Sequence, residues 1–243
     1  MRPQCTDTKG TAMRTITTVE MNPDSREEYL PGYTPQFPHI ASHIDGRLYQ
    51  SDVAPWHWHE SVELFYVRRG SILYRTPHAE HVVHAGCGGM VNSNILHTTK
   101  ILDSSLDMAL HLFSPSLVAG VAGGTVEQRY IRPLTADAGH ELILLTPDDP
   151  AQTETLRRID ESLRLDEAAF GHEMRLQAML TDIWLRLVEQ VCPPEHAVPR
   201  NAADEKIKRM MVYIHTHYAE RITAPQIAAA GYCSERECYR TFQ

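Results

Sequence analysis

The sequence predicts a mixed β and α chain: an N-terminal antiparallel β-barrel, then a helical segment, then a partial all-α unit at the C-terminus. Three observations predict it. Short apolar runs between about Ile40 and Phe113 are punctuated by Gly, Pro, Asn and Asp. The hydrophobic period then lengthens to that of helices between Asp149 and Val191, and two helix-start signatures follow one another near the C-terminus.

Bulk properties agree with a packed, globular chain. The 243 residues are 42% hydrophobic and 22% charged, enough for one large domain or two ordinary ones. No apolar run is long enough to span a bilayer, and the opening "MRPQCTDTKGTAM" lacks the apolar stretch of a signal peptide, so a cytoplasmic location is expected. The five cysteines, Cys5, Cys87, Cys192, Cys233 and Cys238, form no C-x-x-C pair, which argues against a disulfide framework or a thiolate zinc site. A net charge of −8 leans away from nucleic acid, but it is unevenly spread: Asp204 to Gln243 holds six basic residues against five acidic ones.

Residues 1–30 show no periodicity and are expected to be a poorly ordered N-terminus. The barrel is assigned to residues 31–147, with "ELFYV", "SILYR", "HVVH", "GGMVNSNIL" and "DMALHLF" as its strands. Residues 148–192 are the helical segment. Asp149 is the expected N-cap of its first helix, Pro150 occupies the favoured first position, and Leu156, Ile159 and Leu163 share a face. Its second helix, from Gly171 to Val191, carries a long stripe of Leu176, Leu180, Ile183, Leu187 and Val191, and such a stripe needs a surface to cover it. A partner copy is the expected cover, with the chain's own barrel as the competing one. Residues 193–203, rich in proline, read as a linker.

The chemistry concentrates in "HWHESVELFYVRRG", residues 57–70. In an extended strand His57, His59, Ser61, Glu63, Phe65 and Val67 point to one face, which in a barrel is the interior. Two imidazoles and a carboxylate there need each other, water, an organic effector or a metal as partners. His97, from a later strand, is a fourth member. His57, His59, Glu63, Phe65 and His97 are therefore the expected lining of an effector pocket. Trp56, Trp58 and Phe65 could present a ring for stacking, although core packing is the preferred reading.

Residues 204–243 form the all-α unit. "DEKIKRMMVYIHTHY" places Ile207, Met210, Met211, Ile214 and Tyr218 on one stripe. Thr223 with Gln226, and Ser234 with Glu237, are two capping boxes separated by a tight turn at Gly231, the pattern of a helix-turn-helix. In its second helix Cys238 and Phe242 are expected to face the core and Arg236 and Arg240 a different side, where arginine can read guanine in the major groove.

"HWHESVELFYVRRG" resembles the first cupin motif from its histidines onward, and "GCGGMVNSNILH" is similar to the second. In cupins that bind metal, the residues matching His57, His59, Glu63 and His97 are the ligands, a set suited to iron, manganese, nickel, copper or zinc. The segment "KIKRMMVYIHTHYAERITAPQIAAAGYCSERECYRTF" resembles the start of the DNA-binding domain in the AraC/XylS family of transcriptional regulators. The resemblance extends over residues 35 to 243, including "FSPSLVAG" and "RYIRPL".

It implies a ligand-responsive, sequence-specific DNA-binding regulator with a cupin-like sensor barrel, a helical dimerisation segment and the first of two helix-turn-helix units. DNA contacts are then expected from Arg236, Tyr239 and Arg240. The expected partners are DNA, a small-molecule effector such as a sugar, and a second copy of the chain; no cofactor is required, a divalent metal in the barrel being the one candidate. Because the family's domain has a second such unit and Gln243 falls inside the first, the unit reads as truncated and DNA binding as weak or lost. A metal-dependent cupin enzyme of dioxygenase or isomerase type is the alternative, and it leaves the C-terminal pattern unexplained.

Overall fold

The computed structural model describes residues 13–136, 140–191, 210, 213–214, 217 and 220–242. The linker assigned to 193–203, residues 1–12, and Ile207, Met211 and Tyr218 of the first C-terminal stripe lie outside them. Nine strands come from the N-terminal part: β1 (Arg14–Thr15), β2 (His39–Asp45), β3 (Val62–Arg69), β4 (Ser71–Arg75), β5 (Glu80–His84), β6 (Gly88–Val91), β7 (Thr98–Ile101), β8 (Asp107–Phe113) and β9 (Leu142–Leu145). They form a six-stranded sheet in the order β1-β2-β8-β3-β6-β9 and a three-stranded sheet in the order β5-β4-β7. Every pair is antiparallel except β1 with β2. The fold is thus mixed, with a β-rich N-terminal part. β9 falls in a stretch where the sequence had indicated no regular element.

Alternation along the central strands separates two cores. On β3, Val62 and Leu64 face one way with Ala109 and Phe113 of β8. Phe65 and Val67 face the other, with Met108, Leu110 and Leu112 of β8 and Ile72 and Tyr74 of β4. The Phe65 and Tyr74 rings stack at 4.4 Å and bring the two sheets face to face. The turn from β3 to β4 is made by Gly70 at φ +74°, where a Cβ would sit 2.8 Å from the Leu106 backbone. Gly89 is required for a different reason: a Cβ there would run into the Ile143 carbonyl of the paired strand.

Helices cover the outer face of the larger sheet. After short α1 (Ser116–Ala119), a single π-helical turn (Glu127–Ile131) and α2 (Arg132–Thr135) come the two long helices, α3 (Pro150–Ser162) and α4 (His172–Val191). Asp149 caps α3 as expected, accepting from the Ala151 N–H at 2.9 Å, with Pro150 at the first position. Leu176, Leu180, Ile183, Trp184, Leu187 and Val188 of α4 are buried together with Leu156, Ile159 and Leu163 of α3 and the sheet residues Leu64 and Phe113.

This corrects the expectation that a partner copy covers the apolar stripe of α4. The stripe is consumed within the chain, and each of these side chains contributes about 1.5–3 kcal/mol by being buried there. No dimer could take that face without unpacking the fold. A second, outward stripe is left on α4: Met174, Ala178, Thr181 and Leu185, at offsets 0, 4, 7 and 11, are all exposed and uncharged.

The C-terminal elements are α5 (Ala224–Ala230) and α6 (Glu235–Thr241). Gln226 accepts from the Thr223 N–H at 2.9 Å, and the Ser234 hydroxyl accepts from the Glu237 N–H at 3.2 Å, so both caps form where the sequence places them. Cys238 is buried with Met210 and Ala228. Phe242 is not: it is 47% exposed, because it is the C-cap residue, one step beyond the last helical turn and out of register with Cys238. No helix among the described residues is long and apolar enough to cross a membrane.

Candidate functional site

The site lies between the two sheets. His57 and His97 meet there by an isolated antiparallel bridge in which each N–H donates to the other's carbonyl at 2.9 Å. Their rings are 4.3 Å apart, and His59 approaches the His97 ring at 5.2 Å. β3 starts only at Val62, so His57 and His59 lie on an irregular lead-in to the strand and not on the strand itself. The inward alternation survives that break: His57, His59, Ser61, Glu63, Phe65, Val67 and His97 are all buried.

Each imidazole is oriented from behind. Nδ1 of His57 lies 2.7 Å from the Pro55 carbonyl, Nδ1 of His59 2.8 Å from that of Ser61, and Nδ1 of His97 2.9 Å from that of Ile95. A carbonyl can only accept, so each Nδ1 carries a proton, and in the neutral ring the lone pair is on Nε2, facing the cluster. One ring nitrogen from each histidine lies within 4.8 Å of the others. The Nε2 atoms of His59 and His97 are buried without a hydrogen-bond partner.

Glu63 completes the cluster. Its Oε1 accepts from the Tyr74 hydroxyl at 2.6 Å, and its Oε2 stands 3.7 Å from both His59 Nε2 and His97 Nε2. That is too long for hydrogen bonds. It suits donors sharing one ion, since ligands about 2.0–2.2 Å from a metal stand about 3–4 Å from one another. Imidazoles oriented by carbonyls, and a carboxylate held by a phenol, are the surroundings a bound metal needs. The four residues therefore fit a divalent ion.

Burial and charge set the protonation of the cluster. Burial, with His97 adding to it, pushes His57 down to about 3. Burial opposes charge on His59 too, but Glu63 and Glu28 outweigh it and its pKa rises. Burial likewise favours neutral Glu63, and here His59 and His97 outweigh it and hold the carboxyl below the usual range. The Tyr74 phenol is raised by burial and by Glu63, and so stays a donor.

Two members were not found from the sequence. Tyr74 had a usable signal, since a tyrosine on the inward face of an apolar strand needs a partner for its hydroxyl. Glu28 had none. It comes from residues 13–30, a stretch without periodicity that nonetheless pairs with the sheet through β1 and with Trp58 through a bridge at Glu27. Its Oε2 is 3.9 Å from His57 Nε2. Burial raises Glu28 to about 7, with His59 lowering it and Glu63 raising it further.

The hollow at this site is small, about 30 Å³, and is lined by Ile16, Glu28, Tyr49, His57, Glu63, Tyr74 and His97 among others. Of the five residues expected to line it, His59 and Phe65 do not: His59 is buried beside the His97 ring, and the Phe65 ring supports Tyr74 from behind. Trp56 and Trp58 are half-buried and outside the lining, and the Trp58 indole N–H donates to the Ser25 carbonyl at 2.8 Å. Neither is a stacking platform or a core residue.

A second polar chain lies on the other face of β8. The His39 and His111 rings are bonded at 2.8 Å, His111 Nε2 is 2.9 Å from the Ser162 hydroxyl, and that hydroxyl donates to the Ile159 carbonyl at 2.8 Å. Leu110 and Leu112 line the hollow while His111, between them, bonds to α3. Arg236, Tyr239 and Arg240 are exposed on α6 and belong to neither cluster.

The sequence profile of the AraC-like ligand-binding domain family matches residues 39–183, which include the three histidines and Glu63. The uncharacterized HTH-type transcriptional regulator YdeC of Bacillus subtilis (strain 168) is 26% identical over 191 residues, 78% of this chain and 65% of that protein. The chain thus spans just under two thirds of that relative's length. Among solved structures, ToxT from Vibrio cholerae aligns with 84% of this chain and 73% of its own at 10% identity and a TM-score of 0.44. The AraC-like transcriptional activator CuxR aligns with 75% and 60% at 15% identity and a TM-score of 0.39.

Proposed function

The chain belongs to the AraC-like ligand-binding domain family, and from that premise we propose that it is the sensing part of a ligand-responsive, DNA-binding transcriptional regulator. The observation that carries the reading is the buried group of His57, His59, Glu63 and His97, three of which (His57, Glu63 and His97) line a hollow one strand away from the helical layer. β8 touches the hollow through Leu110 and Leu112 and α3 through His111, so a change in the hollow reaches the helices within one residue. The relative it matches is a regulator and not an enzyme.

Two effector chemistries fit such a pocket, and the geometry favours a divalent ion. The two imidazole nitrogens without a hydrogen-bond partner, each 3.7 Å from the Glu63 carboxylate, support that reading; an imidazolium–carboxylate pair between the same groups is the metal-free alternative. A hollow of about 30 Å³ holds about two waters. A sugar, or the organic substrate of a cupin dioxygenase or isomerase, requires the segment over the hollow to lift. His57, His59 and His97, with Glu63, would hold such an ion, which would supply a positive charge against the carboxylate, while each Nδ1–H continues to donate to its carbonyl.

Dimerisation, in this reading, uses the outward stripe of Met174, Ala178, Thr181 and Leu185. DNA contact falls to Arg236, Tyr239 and Arg240, whose exposure on α6 leaves them available. Selection from a random DNA pool by the full chain, with and without Zn²⁺ or Mn²⁺, tests the regulator reading. With DNA binding expected to be weak in this chain, a small enrichment whose recovery depends on the ion is expected; enrichment that is the same with and without the ion overturns the sensing reading.

A further inference from the structure

We infer that Glu28 is a further ligand of the ion held by His57, His59, Glu63 and His97, and that through it the ion clamps the N-terminal hairpin of residues 21–28 over the site. This rests on the metal reading above. The carboxylate is brought in from outside the histidine motif, and its Oε2 stands 3.9 Å from His57 Nε2 with a side chain only 9% exposed. The interval matches the 3.7 Å that separates Glu63 from His59 and His97. It is again too long for a hydrogen bond and right for two donors on one ion. Glu28 and Glu63 also line the same hollow. Two carboxylates buried together repel and lose hydration, a cost that one divalent ion removes.

The hairpin is built to register that ion. Met21 pairs with Glu28, and Arg26 sits exposed at the tip with φ 62°. The Glu28 N–H donates to the Trp58 carbonyl at 2.9 Å and the Trp58 N–H to the Arg26 carbonyl at 3.1 Å. Trp58 lies between His57 and His59, so the outward side of the backbone that presents two ligands is the side that carries the hairpin. The Trp58 indole N–H adds a bond to the Ser25 carbonyl at 2.8 Å and the Arg26 guanidinium one to the Trp56 carbonyl at 3.5 Å; apart from Glu28 these contacts lie at the surface, where local opening costs less than global unfolding. Ion binding and hairpin closure are therefore one event.

The test uses the full chain, titrated calorimetrically with Zn²⁺ and Mn²⁺ and digested with trypsin under the same conditions. Cleavage after Arg26 reports the hairpin. Wild type is expected to bind one ion and to be cut at Arg26 at least about fivefold more slowly when loaded. Glu28→Gln, which keeps the shape, is expected to bind about tenfold or more weakly and to lose the protection, whereas Glu27→Gln next to it changes neither. Unchanged affinity in Glu28→Gln, or protection retained there, overturns the inference while leaving the metal reading intact. Failure of wild type to bind either ion overturns both.

Discussion

His57 and His97 hold one another by main chain alone, N–H to carbonyl at 2.9 Å in both directions, while their side chains converge at 4.3 Å. The pairing therefore does not depend on the imidazoles. His57→Ala and His97→Ala are expected to fold and to keep their circular dichroism, yet to lose the stabilisation that a bound ion confers on wild type. At an ion concentration a hundredfold above Kd that stabilisation is about 2.7 kcal/mol. Thermal unfolding with and without Zn²⁺ measures it, and a full shift retained in both variants would refute the ligand assignment.

The pair of His39 and His111 makes the opposite use of imidazole. Ser162 gives its proton to the Ile159 carbonyl, so it must accept from His111 Nε2, which leaves His111 Nδ1 to accept from His39. The chain is satisfied only when the His111 ring is neutral, since its Nδ1 must accept; His39 donates through Nε2 in either state and is held neutral by burial instead. Burial, with His172 adding to it, lowers His39 to about 3; burial, with His39 and His172, lowers His111 further below its ordinary value. Both folded pKa values lie below the unfolded one, so this contribution is complete above about pH 6.5 and is lost as the pH falls. Between pH 6 and 4 His39 is expected to remove about 1 kcal/mol per pH unit, and His111 to act in the same direction. Denaturant unfolding across that range checks it, and His39→Gln should flatten the profile. An equally steep profile in that variant would count against the assignment.

The parts of the molecule legible in the sequence are those set by local rules. Strand alternation grouped His57, His59 and Glu63 on one face, and that held although the first two precede β3. Caps at Asp149, Thr223 and Ser234 were readable because each acts on N–H groups within three residues. What escaped is non-local. His39 and His111 are 72 residues apart and meet only because β2 pairs with β8. Glu28 reaches the site from a segment with no period at all. The helical stripe of α4 was readable, but not which surface covers it, because a hydrophobic face looks the same whether its cover is the chain itself or another copy.

That ambiguity gives a direct test of assembly. With the inner stripe of α4 buried in the chain, a homodimer has the outer stripe to use. Leu185 is 42% exposed and Met174 77%. Leu185→Glu is expected to yield a monomer in analytical ultracentrifugation with a Tm within a few degrees of wild type, since surface changes alter stability by about 0.5 kcal/mol or less. Leu180→Glu, on the buried face, is expected to unfold the chain. A dimer that survives Leu185→Glu, alone and combined with Met174→Glu, would remove α4 from the interface.

On α6 the same contrast separates recognition from packing. Arg236 and Arg240 are exposed and four residues apart, and among the described residues neither makes a hydrogen bond or ion pair through its side chain. Cys238 between them is buried with Met210 and Ala228 and holds the helix to the unit. Arg236→Ala and Arg240→Ala should therefore leave unfolding unchanged. If either side chain reads a base, its loss is expected to weaken the selected DNA by about 1–3 kcal/mol and to relax preference at one position. If it contacts phosphate, binding should weaken evenly across sequences with a shallower salt dependence. Cys238→Asp is expected to do neither selectively: it places a charge in the small core, so both stability and DNA binding fall together. Fluorescence anisotropy at several salt concentrations separates these outcomes, and wild-type affinity retained in the double arginine variant would move the DNA contact away from α6.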